Sequence, residues 1–123
     1  MKNMLWVGCG GFLGAIFRYL ISLKLSSYNR FNFPIDTLLI NFFGCLLLGL
    51  LWNNYYYTTS ILPIKEFVFI GLLGGFTTFS AFGLDSFLLF KSGNIKFFTI
   101  YLFGSILSGV LGIFIGTFVS KNL

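Results

Sequence analysis

Four long apolar stretches fill almost the whole of the 123-residue chain, at about residues 4–24, 34–53, 64–90 and 97–119. A helix needs about 20 mostly apolar residues to cross the hydrocarbon core of a membrane. The composition agrees, because 57% of the residues are hydrophobic and only 9% are charged, which is too little charge to cover a soluble domain. The sequence therefore predicts an all-α, multi-pass protein of the cell membrane, with residues 1–123 forming one transmembrane domain of four helices.

Prolines and aromatic residues mark the ends of these stretches. Pro34 and Pro63 stand where the second and third helices would begin, and proline suits a first helical turn because its missing amide proton has no partner there. Trp52 and the tyrosines at 55–57 predict a membrane interface, where amphipathic rings collect. A cleaved signal peptide is the alternative interpretation of residues 1–24. Arg18 interrupts that apolar run and no small-x-small cleavage site follows, so we expect a helix that stays in the membrane.

The residue types that carry most catalytic chemistry are scarce. The chain has no histidine, and its only carboxylates are Asp36, Glu66 and Asp85. The two cysteines, Cys9 and Cys45, lie in different predicted helices and have no histidine with which to share a metal. The sequence therefore predicts that the protein is not an enzyme.

The positive charges are spread over the loops and the chain ends. They form no basic patch despite a net charge of +5, so we expect no nucleic-acid partner. Four helices put both termini and the second loop on one face of the membrane, with Lys2, Lys65 and Lys121. The other two loops carry Lys24, Arg30, Lys91 and Lys96. Three charges against four give almost no orientation bias under the positive-inside rule, which predicts both insertions and an antiparallel dimer of oppositely oriented copies.

Small residues recur at every fourth position in two predicted helices. The fourth helix carries Gly104, Ser108, Gly112 and Gly116, and the first carries Gly10 and Gly14. Such stripes allow helix backbones to approach closely in lipid, so we interpret them as helix contacts. Four helices enclose little space, and a transport pathway would need a second subunit.

Polar residues inside the apolar stretches are costly and face a partner or a water-filled path. Asn41 is the most prominent, in the middle of "LLINFFGC". Its amide suits either a polar pathway or an interhelical hydrogen bond, and the pattern alone leaves both roles open. We expect Arg18 and Asp85 to lie towards helix ends, with the charged groups reaching water.

The third stretch contains "GLLGGFTTFSAFG", residues 71–83, in which paired glycines and threonines are poor helix formers. This composition predicts a break near the centre of the third helix. Main-chain groups freed at membrane depth must be buried in protein or line a cavity, and broken helices of this kind offer carbonyl oxygens to cations.

Three segments together resemble a known family. "GGFLGAIFRY", "TLLINFFGCLLLG" and "GLLGGFTTFSAFGLD" look like the signature blocks of the Fluc, or CrcB, family of bacterial fluoride channels, in the same order and spacing over three of the four helices. The resemblance implies an antiparallel dual-topology dimer with two narrow fluoride pores and a structural sodium ion at the two-fold centre. It also implies a passive channel that exports cytoplasmic fluoride.

The resemblance assigns roles to individual residues. It makes Asn41 a pore donor, and it makes Phe79 and Phe82 the phenylalanines whose ring edges meet fluoride. It makes the carbonyl groups of Gly74 and Thr77, from both subunits, the sodium ligands.

Hydroxyl groups complete the expected pore. The resemblance places Ser80 on the pore side of the third helix and Tyr101, Ser105 and Ser108 at the pore hydroxyls of the fourth. One departure is Ala81, where many relatives carry threonine or serine.

Two other functions remain as alternatives. A small dual-topology, proton-coupled multidrug exporter needs a titratable carboxylate in mid-membrane, and Asp85 near a helix end is the nearest candidate. A membrane subunit without transport activity would account for the glycines but not for Asn41 together with "TTFS". Whether the partner is an identical chain or a paralogue stays open.

Overall fold

The computed structural model describes residues 1–26, 33–57 and 63–122. Its helices are α1 (Lys2–Ser26), α2 (Ile35–Tyr57), a π-helical segment (Lys65–Leu73), α3 (Gly74–Phe76), α4 (Phe79–Lys91) and α5 (Ile95–Lys121). Arg30, which contributes to the charge count, lies outside the described residues, as do the side chains of Tyr56 and Tyr57 at the expected interface.

Four spans are long and apolar enough to cross a membrane: Lys2–Leu25, Ile35–Trp52, Lys65–Lys91 and Ile95–Lys121. Every regular element in the described ranges is helical. The prediction of an all-α, multi-pass membrane protein with four membrane-capable helices is therefore confirmed. We refer below to Lys65–Lys91 as the third span.

The ends of the helices follow local sequence signals. The carbonyl groups of Pro34 and Pro63 accept hydrogen bonds from the amides four residues later, at 3.3 and 2.9 Å, so both prolines stand at helix starts as predicted. Between α4 and α5 the chain turns at Gly93, whose φ of 75° is a conformation that glycine adopts readily. Asn94 then caps α5 by accepting a hydrogen bond from the Phe97 amide at 3.2 Å.

Glycines let α1 approach the first half of the third span closely. A Cβ atom added to Gly75 would lie 2.6 Å from the Gly11 carbonyl oxygen, and one added to Gly14 would collide with the Leu72 carbonyl. Gly10 faces the Phe67 carbonyl in the same way. The predicted contact role of Gly10 and Gly14 is confirmed.

Glycines also let α2 and α5 approach closely. A Cβ atom at Gly112 would lie 3.0 Å from the Phe42 carbonyl oxygen, and one at Gly116 would meet the Leu46 carbonyl. Gly104, from the same predicted stripe, has no atom of the described subunit within 4 Å of an added Cβ. The stripe is therefore a helix contact at its C-terminal half, and the prediction fails for Gly104 within one subunit.

The third span changes conformation along its length. Its first half is π-helical, with α1 packed against it, and this was not predicted from the sequence. After the short α3, Thr77 has ψ of 155° and Thr78 has φ of −149° and ψ of 114°, which are extended values. The helical conformation resumes at Phe79 in α4, which packs on α5. The two extended residues lie within the "GGFTT" segment and beside Asn41 of α2.

Candidate functional site

The Asn41 side chain makes a pair of hydrogen bonds with the main chain of Thr78. Its Nδ2 donates to the Thr78 carbonyl at 3.1 Å, and its Oδ1 accepts from the Thr78 amide at 2.8 Å. One side-chain amide thus satisfies both main-chain groups of an extended residue in an apolar span, where water could not. Of the two roles left open for Asn41, the interhelical hydrogen bond is observed.

Thr78 is also the N-cap of α4. Its Oγ1 accepts a hydrogen bond from the Ala81 amide at 3.2 Å and lies 3.1 Å from Ser80 Oγ. Ser80 is exposed, and its hydroxyl lies within hydrogen-bond distance of the Thr78 hydroxyl. Thr78 was not among the site residues predicted from the sequence, although a threonine directly before a helical run is a recognised start signal.

A cavity of about 270 Å³ opens beside this junction. Its lining residues come from α2, the junction, α4 and α5, and they are Asn41, Cys45, Thr77, Thr78, Phe79, Phe82, Ser105, Ile106 and Gly109. The structure therefore brings together four of the residues that the sequence resemblance places in a pore, Asn41, Phe79, Phe82 and Ser105.

Ser105 lines the same cavity. Its hydroxyl group is buried and has no hydrogen-bond partner within the described part of the chain. Buried hydroxyl groups are normally hydrogen-bonded, and an exception calls for a missing water, ion or ligand. Asn41, which also lines the cavity, has a second Nδ2 proton besides the one given to Thr78.

Phe79 and Phe82 contribute aromatic rings to the same cavity. Phe79 is 84% exposed in the subunit, whereas Phe82 is 8% exposed. The edge of an aromatic ring carries the positive end of its quadrupole, so these rings offer weak electrostatic attraction to an anion. The cavity lining includes no carboxylate.

Tyr101 is placed differently from the expectation. It is fully buried, with 0% exposure, and its hydroxyl donates to Asp85 Oδ2 at 3.2 Å. Its ring lies 5.6 Å from that of Phe82 and 5.7 Å from that of Phe33, and it is not among the residues that line the cavity. Tyr101 thus packs against the Phe82 ring without lining the cavity. The Asp85 carboxylate accepts the hydrogen bond from the Tyr101 hydroxyl instead of extending to a helix end.

A second cavity, of about 240 Å³, lies on the other side of the junction. It is bordered by α1, α2 and α4, with Arg18, Ser22, Thr37 and Ala81 among its lining residues, and Thr78 borders both cavities. Arg18 Nε is buried there without a hydrogen-bond partner in the described residues. Ala81, the departure from the expected pattern, therefore faces the cavity of Arg18 and not the cavity of Asn41 and Ser105.

Comparison with known proteins identifies the family. The family model described as "CrcB-like protein, Camphor Resistance (CrcB)" matches residues 5–117. The chain belongs to the CrcB family. Because the match extends through α5, it covers all four spans and confirms the resemblance that three of them indicated.

Individual members of the CrcB family are similar over nearly their full length. The chain is 38% identical over 125 residues to the "Fluoride-specific ion channel FluC" of Phocaeicola vulgatus, which covers 98% of this chain and all of that protein. It is 39% identical over 127 residues to the protein of that name from Ruminiclostridium cellulolyticum, covering 100% of this chain and 95% of the relative. For the Flavobacterium psychrophilum protein the identity is 35% over the whole of both chains.

Proposed function

We propose that this protein is a subunit of a passive, fluoride-selective channel that carries fluoride out of the cytoplasm. The observation that supports this best is the cavity at the junction, which Asn41, Ser105, Phe79 and Phe82 all line, with the Ser105 hydroxyl buried beside it and without a partner among the described residues. The relatives' name, fluoride-specific ion channel, agrees with the proposal. The protein acts as a channel and not as an enzyme.

The chemistry of the cavity suits fluoride. Fluoride is small and strongly hydrated, so a pore must replace its water with hydrogen-bond donors. Amide and hydroxyl donors supply such bonds, and ring edges add favourable electrostatics without a formal charge. A carboxylate in the same place would repel the anion.

Passive transport is sufficient for fluoride export. Hydrogen fluoride crosses membranes as a neutral acid and ionises inside, where the anion is trapped. An inside-negative membrane potential then drives the anion outward with about 2.3 kcal/mol per charge for each 100 mV. A selective pathway needs no further energy source.

We further propose that two copies of this chain assemble in opposite orientations. Phe79 lines the cavity yet is 84% exposed in one subunit, so a second surface is needed to enclose it. Gly83 and Gly104 have no atom of the described subunit within 4 Å of an added Cβ, which leaves them available for contact with another helix. The nearly balanced charges of the two faces make the partner an identical, oppositely inserted chain, and a paralogous subunit is the alternative.

The broken third span suits a structural sodium ion. Gly74 and Thr77 fit such an ion, because Gly74 is exposed and an added Cβ would come no closer than 3.7 Å to the Phe69 carbonyl oxygen, and because Thr77 is extended, with ψ of 155°. We propose that the Gly74 and Thr77 carbonyl groups of both subunits hold it. The described residues contain no cluster of three or more histidine, cysteine or carboxylate side chains for a metal. Sodium would supply a positive charge that links the two subunits.

The proton-coupled exporter is the weaker alternative. Asp85 accepts the hydrogen bond from Tyr101, and Asp36, in the first turn of α2, accepts one from Ser22 Oγ at 2.5 Å. Neither carboxylate lines the cavity of Asn41. An exporter would need one of them on the transport path.

The decisive experiment is ion release from liposomes that contain the purified protein, followed with fluoride and chloride electrodes. We expect rapid fluoride release and little chloride release. Protein-free liposomes give the background, and a detergent pulse at the end gives the total trapped ion. Equal release of the two halides, or release no faster than the background, would contradict the channel proposal.

A further inference from the structure

The main-chain amide of Thr78 does not bond within its own helix. In a continuous α-helix this amide would donate to the carbonyl group of Gly74, four residues earlier. In the structure it donates to Asn41 Oδ1 on α2, at 2.8 Å. The Gly74 carbonyl is thereby deprived of the amide proton that a continuous helix would supply.

The Thr77 carbonyl loses its helical donor in a similar way. The amide four residues later belongs to Ala81, and it donates to Thr78 Oγ1 at 3.2 Å. Two side-chain oxygens, Asn41 Oδ1 and Thr78 Oγ1, thus capture the two amide protons that would otherwise occupy Gly74 and Thr77. These are the same two carbonyl groups that the cation site requires.

We infer that Asn41 and Thr78 are positioning residues for the cation site, because their side-chain oxygens keep the Gly74 and Thr77 carbonyl groups free to bind it. The inference rests on the proposed sodium role of those carbonyl groups. Asn41 binds the Thr78 main chain through both atoms of its amide, so it fixes the extended conformation as well as removing a competing donor. Neither side chain touches the ion itself.

Asn41 also connects this cation site to the anion cavity. One of its Nδ2 protons goes to the Thr78 carbonyl at 3.1 Å, and the second remains available in the cavity that Asn41 lines. The Oδ1 and Nδ2 atoms of one side chain therefore have separable tasks. Oδ1 serves the cation ligands, and the free Nδ2 proton serves the anion.

A sodium titration of dimer stability tests the inference without measuring flux. The purified full-length protein is heated in detergent at a series of sodium concentrations, with N-methylglucamine keeping the ionic strength constant. In Asn41→Leu, which has a similar shape but no acceptor, the sodium concentration for half-maximal stabilisation should rise roughly 10- to 100-fold, as is typical when the support of a metal ligand is lost. Asn94→Ala is the matched control, because it also removes an asparagine that accepts a main-chain amide bond. It should lower the melting temperature without moving the sodium midpoint.

A second pair of variants covers the case in which Asn41→Leu does not assemble. Thr78→Val keeps the shape but removes Oγ1, so the Ala81 amide loses its acceptor and α4 loses its cap. The main chain at Thr77 and Thr78 is then held less firmly, and sodium binding should weaken. Thr78→Ser keeps the acceptor and should keep the wild-type sodium midpoint. A purely steric role for Thr78 predicts the opposite order, with valine tolerated better than serine.

The outcomes separate this inference from the channel proposal. If wild-type dimers respond to sodium and both Asn41→Leu and Thr78→Val keep the wild-type midpoint, the inference is wrong and the channel proposal stands. A wild-type dimer that releases fluoride but ignores sodium also overturns it, since there is then no cation site to position. Absence of fluoride release from wild-type liposomes would count against the proposed function alone, because the titration is scored on dimer stability.

Discussion

Phe79 and Phe82 lie with their ring centroids 5.5 Å apart and their planes tilted by 44°, yet only Phe82 is buried within the subunit. Phe82 is also packed against Tyr101, at 5.6 Å. The two neighbouring rings therefore line the same cavity, but only Phe82 is buried and packed against Tyr101 within the subunit. Substitutions at the two positions can therefore separate an effect on fluoride release from an effect on stability.

Replacing either ring with isoleucine should reduce fluoride release. We expect a loss of roughly tenfold or more in each single variant, since about 1.4 kcal/mol of lost stabilisation along the path changes a rate tenfold. Phe82→Ile should also lower the melting temperature, because Phe82 is buried and pairs with both Phe79 and Tyr101, each aromatic pair being worth about 0.5–1.5 kcal/mol. Phe79→Ile removes only the pair with Phe82 and an exposed ring, so it should lower the melting temperature less. Electrode traces and melting curves of the same preparations check both statements, and unchanged release in both variants would assign the rings to packing.

The hydroxyl groups of α5 should differ in their effects. Ser105→Ala removes a buried hydroxyl beside the cavity that has no partner among the described residues, so fluoride release should fall while the melting temperature changes little or rises. Tyr101→Phe removes the donor to Asp85 and should destabilise the protein by about 1.5–3 kcal/mol, the range for a hydrogen bond to a charged group. Its effect on halide selectivity should be small. A Tyr101→Phe protein of wild-type stability that no longer selects fluoride would return this hydroxyl to the pore.

Adjacent glycines provide a matched test of the dimer axis. A Cβ at Gly74 meets nothing closer than 3.7 Å within the subunit, whereas a Cβ at Gly75 would lie 2.6 Å from the Gly11 carbonyl oxygen. Gly74→Leu should therefore leave a folded subunit that fails to dimerise, and Gly75→Leu should disturb the subunit itself. Thr77→Ser should preserve assembly, because the proposed ligand is its main-chain carbonyl. Cross-linking and size-exclusion chromatography in detergent distinguish these results, and a stable Gly74→Leu dimer would place the axis elsewhere.

Charge substitutions should control orientation. The two faces carry three and four positive residues, so reporters fused to the C-terminus should appear on both sides of the membrane. The double variant Lys2→Gln, Lys121→Gln leaves one charge against four, and the triple variant Lys24→Gln, Lys91→Gln, Lys96→Gln leaves three against one; these should insert in opposite directions. Each alone should release little fluoride, and co-expression should restore release. Full activity of one singly oriented variant would contradict the antiparallel dimer.

The sequence predicted the four membrane-capable helices because their length and apolar content follow from the thickness of a bilayer alone. The helix starts at Pro34 and Pro63 were equally accessible, since they depend on local main-chain geometry. The π-helical conformation of Lys65–Leu73 was not predicted; it occurs where this segment lies close to the α1 backbone at Gly10 and Gly14. The small-residue stripe of α1 indicated a helix contact but not the helical conformation of its partner.

The residues of the candidate site were also predicted only in part. Asn41, Phe79, Phe82 and Ser105 were identified from the resemblance and share one cavity. Tyr101 was assigned to the pore by the resemblance, in the helix with the fewest distinctive motifs, and its hydrogen bond to Asp85 sixteen residues earlier could not be predicted because it depends on how α4 packs on α5. The double contact between Asn41 and Thr78 could not be predicted, since the spacing leaves open which main-chain group an amide will meet.

The Asn41–Thr78 contact also lies where the third span passes from one helix neighbour to another, with α1 along its first half and α5 along its second. Lipid tails are as apolar as the side chains between these helices, so no hydrophobic force opposes a small separation in the membrane. Resistance comes instead from close backbone packing and from the polar bonds at the junction. A change in bilayer thickness or lateral tension that tilts the two halves of the span differently should therefore act at Thr78, which would make the composition of the surrounding membrane a determinant of the shape of the two proposed ion sites.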